Sequence, residues 1–177
     1  MNRPLLLAAA AFSLALAGCA ANEAAMQSAA SGEMTPTARD AYVGMAAASD
    51  MFEIQSSQLA RSRGQSPAVK DFAQMMIDNH TQTTAQLTAA ARAAGVTPPM
   101  PAFLPMQSRM MGDLQSASGA DFDRVYISQQ VQAHEMALAL HSNYARNGDA
   151  PALRAVANAA VPIVQQHLDR VRQLAGG

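Results

Sequence analysis

From residue 36 onward the apolar positions recur at spacings of three and four, and no stretch alternates polar and apolar residues for long enough to make a strand. The pattern predicts an all-α domain over residues 36–177. Its first helix is expected from about Pro36 to Arg63, opened by Thr35-Pro36 as cap and first-turn proline and closed by Gly64. The second is expected to start at Ser66-Pro67 and run to Ala94, where Gly95 supplies a left-handed stop. A short helix near Met106 to Ala117 falls inside a connection that begins Thr97-Pro98-Pro99-Met100-Pro101. The third long helix, capped by Ser118 with Asp121 three residues later, extends to about Asn147, ahead of Gly148. The fourth opens at Asp149-Ala150-Pro151 and continues to Leu174; Pro162 removes one of its backbone hydrogen bonds and is expected to kink it.

The stripes on these helices are heptad-like. Val69, Ala73, Met76, His80, Thr83, Leu87, Ala90 and Ala94 form one; Ile127, Val131, His134 and Leu138 a second; Leu153, Val156, Ala160, Ile163, His167 and Leu174 a third. Four helices with one apolar stripe each are buried most simply as a four-helix bundle. The loops at 64–66 and 148–150 are short enough to make two antiparallel hairpins. The long second-to-third helix connection, 95–118, either turns at one end or climbs the bundle as a ferritin-like crossover, and its length alone does not choose.

Ahead of the domain the pattern changes. Residues 1–18 carry one charge, Arg3, then an apolar run from Leu5 to Ala17, which reads as a cleaved export signal rather than a spanning helix. Leu16-Ala17-Gly18-Cys19 resembles the bacterial lipoprotein box, which implies lipidation of Cys19, the chain's only cysteine. By the same resemblance, Ala20 directs the protein to the periplasmic face of the outer membrane, so its expected partner is the membrane, through Cys19. Residues 19–35 are small and polar and read as a tether. Removing Arg3 takes the formal charge from −1 to about −2, and the basic residues form no stripe, which argues against a nucleic-acid partner. One cysteine also excludes an internal disulfide, thiolate zinc fingers and iron–sulfur clusters.

The candidate chemistry lies on the inner stripes. His80, His134 and His167 occupy positions where apolar residues are expected, one per helix, and Glu53 holds a matching place on the first helix among Tyr42, Ala46, Ser49, Ser56 and Ala60. Counted from the first hairpin loop at about 1.5 Å per residue, Glu53 and His80 lie roughly 18 and 22 Å up, within one turn of each other, and His134 and His167 agree similarly from the second loop. One ligand-type residue per helix near mid-height is how bundles build metal sites. Three imidazoles and a carboxylate suit zinc, copper, iron or nickel better than calcium or magnesium. The same four residues also fit a metal-free buried network, for which Pro162 offers a mechanism by freeing the Asn158 carbonyl below His167.

Neighbouring groups read differently. Asp78 and Glu135 are turned away from His80 and His134 and are expected in solvent. Asp50, three residues before Glu53, is placed either as a second carboxylate or as a surface or supporting group, and His141 is expected at the edge of the core. Gln130 and Gln166 are candidates for orienting ligands. Met75-Met76 and Met110-Met111 follow no fixed ligand spacing and read as adaptable core filling. No P-loop, dinucleotide fingerprint, Gly-x-Ser-x-Gly elbow or His-Glu-x-x-His is present, so hydrolase, kinase and dehydrogenase readings have no residues to rest on.

The segments Phe52-Glu53-Ile54 with Gln58-Leu59-Ala60, Val69 through His80, Phe122-Asp123 with Tyr126, Ile127, Gln130, Val131 and His134, and Pro162 with His167-Leu168 resemble a bacterial domain-of-unknown-function family of exported or outer-membrane proteins. The resemblance spans about residues 37–174 and implies a ferritin-like bundle, with the family's Glu, His, His, His order falling on Glu53, His80, His134 and His167. It implies no established activity. True ferritins carry Glu-x-x-His on two helices, whereas Ile77 and Val164 stand three residues before His80 and His167, which argues against iron storage and di-iron chemistry. The expectation is therefore a lipid-anchored ferritin-like protein that binds a transition metal in its core; the alternative is a non-enzymatic structural or protein-interaction module with a metal-free His/Glu network.

Overall fold

The structure, a computed structural model, describes residues 35–176; the expected signal segment, Cys19 and the tether up to residue 34 lie outside the described residues. Five helices follow in order: α1 (Arg39–Arg63), α2 (Pro67–Ala93), α3 (Pro105–Ser116), α4 (Gly119–Asn147) and α5 (Pro151–Ala175). No strand occurs among the described residues, and no helix there is long and apolar enough to cross a membrane.

Pairings across the bundle fix its topology. Tyr42 meets His141 and Ser57 meets Tyr126, so α4 runs antiparallel to α1. Asp50 meets His80, and Leu87 and Ala90 share a cluster with Tyr42, so α2 is antiparallel to α1 as well. Helices α2 and α4 therefore point the same way. The connection between them must climb the length of the bundle, which is the ferritin-like crossover, and it carries α3 on its way. There α3 lays Met110 and Met111 against Phe52 and Ala133, and the Gln129 amide ties it down by donating to the Met110 carbonyl at 2.7 Å. These methionines fill core, as their spacing implied.

The core has two apolar ends. Tyr42, Leu87, Leu140, Tyr144 and Leu153 fill one; Phe72, Met76, Leu114, Phe122, Tyr126 and Leu168 fill the other. Along every long helix the candidate residue falls between members of the two clusters, for example His80 between Met76 and Leu87 and His134 between Tyr126 and Leu140. Glu53, His80, His134 and His167 thus form a polar layer across mid-bundle.

Several local expectations are corrected. Helix α1 begins at Arg39 rather than Pro36, because residues 35–37 are non-helical and their carbonyls are bonded to the end of α4 and the α4–α5 turn. There the Asn143 amide donates to the Thr35 carbonyl at 2.8 Å and the Asp149 N–H to the Thr37 carbonyl at 3.1 Å. Neither Ser66 nor Ser118 caps its helix through the hydroxyl. Asp123 reaches across from α4 instead, accepting the Gln65 N–H at 2.9 Å and the Ser66 N–H at 2.8 Å, a carboxylate seated at the positive end of α2. The buried stripes of α4 and α5 are turned by about one residue. Tyr126, Gln130, Ala133, Ala137, Ala157 and Val164 are buried where Ile127, Val131, Leu138, Val156 and Ile163 are only half-buried. Pro162 lies inside α5, which is assigned as one helix from Pro151 to Ala175.

Two glycines differ in their reason. Gly95 has φ +74°, the left-handed stop expected after α2. Gly148 is extended, and its requirement is space: a Cβ would stand 2.5 Å from the Tyr144 ring, which is itself stacked on Tyr42 at 3.8 Å between centroids.

Candidate metal centre

Each of the three inward histidines is held by one ring nitrogen. His80 Nδ1 donates to Asp50 Oδ1 at 2.8 Å, and the same carboxylate accepts the Thr83 and Thr84 hydroxyls at 3.0 Å each. His134 Nδ1 donates to the Gln130 carbonyl, one turn back on its own helix, at 2.7 Å. His167 Nε2 pairs with Asn79 Nδ2 at 2.8 Å, a bond from α2 to α5. Small residues on α1 leave room for rings to turn inward from the other three helices.

The rings converge. Their centroids are 5.4 to 5.8 Å apart, and one ligand-type nitrogen from each lies within 4.8 Å of those from the other two. An ion bonded to imidazole at about 2.0–2.1 Å holds its nitrogens roughly 3.3 Å apart, so each ring would have to move inward by no more than about 0.8 Å. That lies within side-chain adjustment.

The second nitrogens, His80 Nε2, His134 Nε2 and His167 Nδ1, are buried and take no hydrogen bond from the protein; neither does either oxygen of Glu53. These are five of the seven such side-chain atoms among the described residues. Glu53 Oε1 lies 3.7 Å from His134 Nδ1, on the side of that ring already bonded to Gln130, and the carboxylate is not part of the three-histidine group. The structure therefore gathers three of the four candidate ligands and sets Glu53 beside one of them.

Burial decides the charge state of two rings. It pulls His134 well below the ordinary imidazole range against the raising effect of Glu53, and it takes His167 down to about 3, helped by the neighbouring His80 and His134. Both are neutral at physiological pH, as a metal ligand must be. For His80 burial also acts downward, but the Asp50 hydrogen bond and charge, with Glu53, outweigh it and the pKa is raised.

The remaining candidates fall into place around this layer. Asp50 is 7% exposed and orients His80, the supporting role rather than a ligand's. The Gln130 side chain is buried and donates to the Ser56 hydroxyl at 3.1 Å rather than to a ligand ring; His134 is bonded by the main-chain carbonyl of Gln130, which any residue there would supply. Gln166 is exposed and serves no histidine, because α5 turns it out beside Pro162. His141 is buried at one apolar end, where Nδ1 bonds the Tyr42 hydroxyl at 3.0 Å. Asp78 is exposed beside Gln74, and Glu135 pairs with Arg172 at 2.7 Å on the surface. Asn158 is exposed, and His167 binds Asn79 instead of the carbonyl that Pro162 frees. Asn79 and the Thr83–Thr84 pair are the contributors that sequence reasoning missed. A residue next to His80 projects about 100° away from it, toward another helix, and nothing in the sequence names that helix's partner atom.

Comparison with known proteins agrees with this architecture. Residues 23–174 match the family described as Domain of unknown function (DUF4142), and the chain belongs to that family. Among solved structures it is similar to CopM in the Cu(II)-bound form, at 18% identity and TM-score 0.66 over 78% of this chain and 96% of that one. It is also similar to a DUF305 fragment from Deinococcus radiodurans, at 17% identity and TM-score 0.67 over 80% and 97%. CopM in the apo form matches with TM-score 0.63, at 17% identity over 77% and 95%. At these identities the likeness is one of fold. A search of curated proteins returns no significant match.

Proposed function

We propose that this member of the domain-of-unknown-function family binds one transition metal ion at mid-bundle through His80 Nε2, His134 Nε2 and His167 Nδ1, with Glu53 supplying compensating negative charge beside His134. The observation that carries the reading is that three histidine rings converge while one buried nitrogen of each, with both Glu53 oxygens, has no hydrogen-bond partner: five of the seven such side-chain atoms among the described residues belong to the four candidate ligands. A purely structural core would pair or replace them, since each unsatisfied buried group costs about 1–3 kcal/mol. Three neutral imidazoles without a thiolate select imidazole-loving ions, and the affinity order of such sites places copper(II) above zinc, nickel and iron(II). Similarity to a fold that has been solved with copper bound supports the same choice. The lipoprotein box ending at Cys19 supports a place on the periplasmic face of the outer membrane, where the domain acts as an anchored metal-binding module.

The test is elemental analysis of the whole chain purified from its envelope without an affinity tag or chelator, followed by copper(II) and zinc titration of the stripped protein. About one ion per chain is expected, abolished in His80→Ala, His134→Ala and His167→Ala with helicity retained, and weakened in Glu53→Gln. Acyl labelling of the same preparation is expected to vanish in Cys19→Ser. Absence of stoichiometric metal, with the histidine variants losing only stability, overturns metal binding and leaves a structural or interaction module; labelling that survives Cys19→Ser overturns the anchor.

A further inference from the structure

Of the three groups that hold the ligand rings, two have a fixed hydrogen-bonding sense. The Asp50 carboxylate and the Gln130 main-chain carbonyl only accept, so His80 and His134 each carry a proton on Nδ1, and in the neutral ring the lone pair is on Nε2, which is buried without a partner. Asn79 is different. Its Nδ2 donates to His167 Nε2, which places the proton of the neutral His167 ring on Nδ1, the buried atom that has no hydrogen-bond partner. In this arrangement the centre holds two lone pairs and one N–H, a metal-free state in which the third ring cannot ligate. Turning the Asn79 amide by 180° changes its shape hardly at all but puts Oδ1 opposite His167 Nε2; that oxygen accepts from Nε2–H, and the Nδ1 lone pair is then free for a metal. Asn79 is half-buried, whereas Asp50 is 7% exposed and Gln130 contributes only its main chain, so of the two side chains bonded to a ligand ring Asn79 has the greater solvent contact through which to exchange partners.

We infer that Asn79 is a positioning residue that sets the tautomer of His167, and with it whether the three-histidine cluster is closed to metal or ready for it; this rests on the metal-binding reading above. Loading the site then requires the amide rotation together with a proton shift on His167, whereas His134 and the neutral form of His80 already hold their proton on Nδ1. The substitution that isolates this step is Asn79→Asp, close in shape but acceptor-only when ionised, which locks the ready form. Asn79→Leu removes both senses.

The experiment is long-range ¹H–¹⁵N NMR of the imidazole nitrogens in the full chain, first metal-free and then with zinc, a diamagnetic probe. Wild-type His167 is expected to carry its proton on Nδ1 without metal and on Nε2 with zinc. Asn79→Asp is expected to show Nε2–H without metal and to bind zinc at least about 10-fold more tightly than wild type, with Asn79→Leu weaker than wild type. A metal-free wild-type His167 already protonated on Nε2, or an unchanged tautomer in Asn79→Asp, overturns the switch. The wild-type reading needs no substitution, so a poorly folding variant does not block it. Failure of zinc and copper to bind wild type overturns the metal reading, while the metal-free tautomers of wild type and Asn79→Asp still decide the assignment to Asn79.

Discussion

Replacing Asp50 by asparagine removes the charge behind His80 with almost no change of shape, and its consequences can be worked from the contacts. The carboxylate accepts three hydrogen bonds, from His80 at 2.8 Å and from Thr83 and Thr84 at 3.0 Å, and is 7% exposed. An asparagine Oδ1 can keep the His80 and Thr83 bonds, and its amide can donate to the Thr84 hydroxyl, whose own proton has the His80 carbonyl at 2.7 Å. What is lost is the charge behind the His80 bond, and a charge-assisted bond contributes about 1.5–3 kcal/mol, so the expected loss is up to about 3 kcal/mol in mildly acidic buffer. That is the low end of what breaking a buried ion pair costs. The loss depends on pH in a defined direction. Asp50 and Glu53 raise the folded pKa of His80 above the unfolded value of 6.5. Stability from that shift is therefore fully present below the unfolded value and disappears as pH rises through the folded one. Without Asp50 the shift collapses, so the gap between wild type and variant should be widest at about pH 6 and narrower at about pH 8, changing by no more than about 1.4 kcal/mol per pH unit. Urea unfolding in the presence of chelator reads this directly, as a midpoint drop of up to about 1.5 M for a slope of about 2 kcal/mol/M. A loss under about 0.5 kcal/mol at the lower pH, or equal losses at both, would show that the carboxylate does not serve His80.

Two further outcomes follow from other parts of the bundle. Burial takes His141 down to about 4 while its unfolded value is 6.5, so the unfolded chain binds more protons between those values. Stability should then fall with acid by up to about 1.4 kcal/mol per pH unit for this residue, and His141→Gln, which keeps an acceptor for Tyr42, should flatten that part of the profile measured by thermal melts. Asp123→Ala deprives the Gln65 and Ser66 N–H groups of their partner at the start of α2 and should cost about 1–2 kcal/mol by urea unfolding, with no change in metal uptake; a neutral result would mean that water replaces the cap.

Helix number, hairpins and the polar layer were legible because each rests on local spacing: prolines at helix starts, Gly95 at a left-handed stop, and histidines at stripe positions. What was not legible depends on partners distant in sequence. The crossover could not be chosen until Ser57 met Tyr126 and Tyr42 met His141 across more than sixty residues of chain. The Ser66 hydroxyl makes no cap bond, and the carboxylate that meets the Gln65 and Ser66 N–H groups at the entrance to α2 comes from Asp123 on α4, far away in sequence. The one-residue rotation of the α4 and α5 stripes has a comparable cause. Spacing locates a face only to within the arc that one residue covers, and packing then chose Tyr126 and Val164 over Ile127 and Ile163. Among the candidate ligands, the histidines were placed by period alone, whereas separating Asp50 from Glu53 needed the knowledge that Thr83 and Thr84 stand opposite one and no donor stands opposite the other.

That separation bears on the choice between a metal centre and a structural network. Both carboxylates sit on α1 three residues apart and are nearly equally buried, at 7% and 1% exposure, yet Asp50 takes three donors and Glu53 none. If burying polar groups served only to knit the bundle, the two would be provided for alike. The histidines repeat the asymmetry within single rings, one nitrogen bonded and the other buried without a partner, and the three rings lie with centroids 5.4 to 5.8 Å apart. Fixing a ring by one nitrogen while leaving the other unpaired costs stability twice, in ordering and in desolvation. A cation at the centre offsets both, because it takes the lone pairs and balances the Glu53 charge at once.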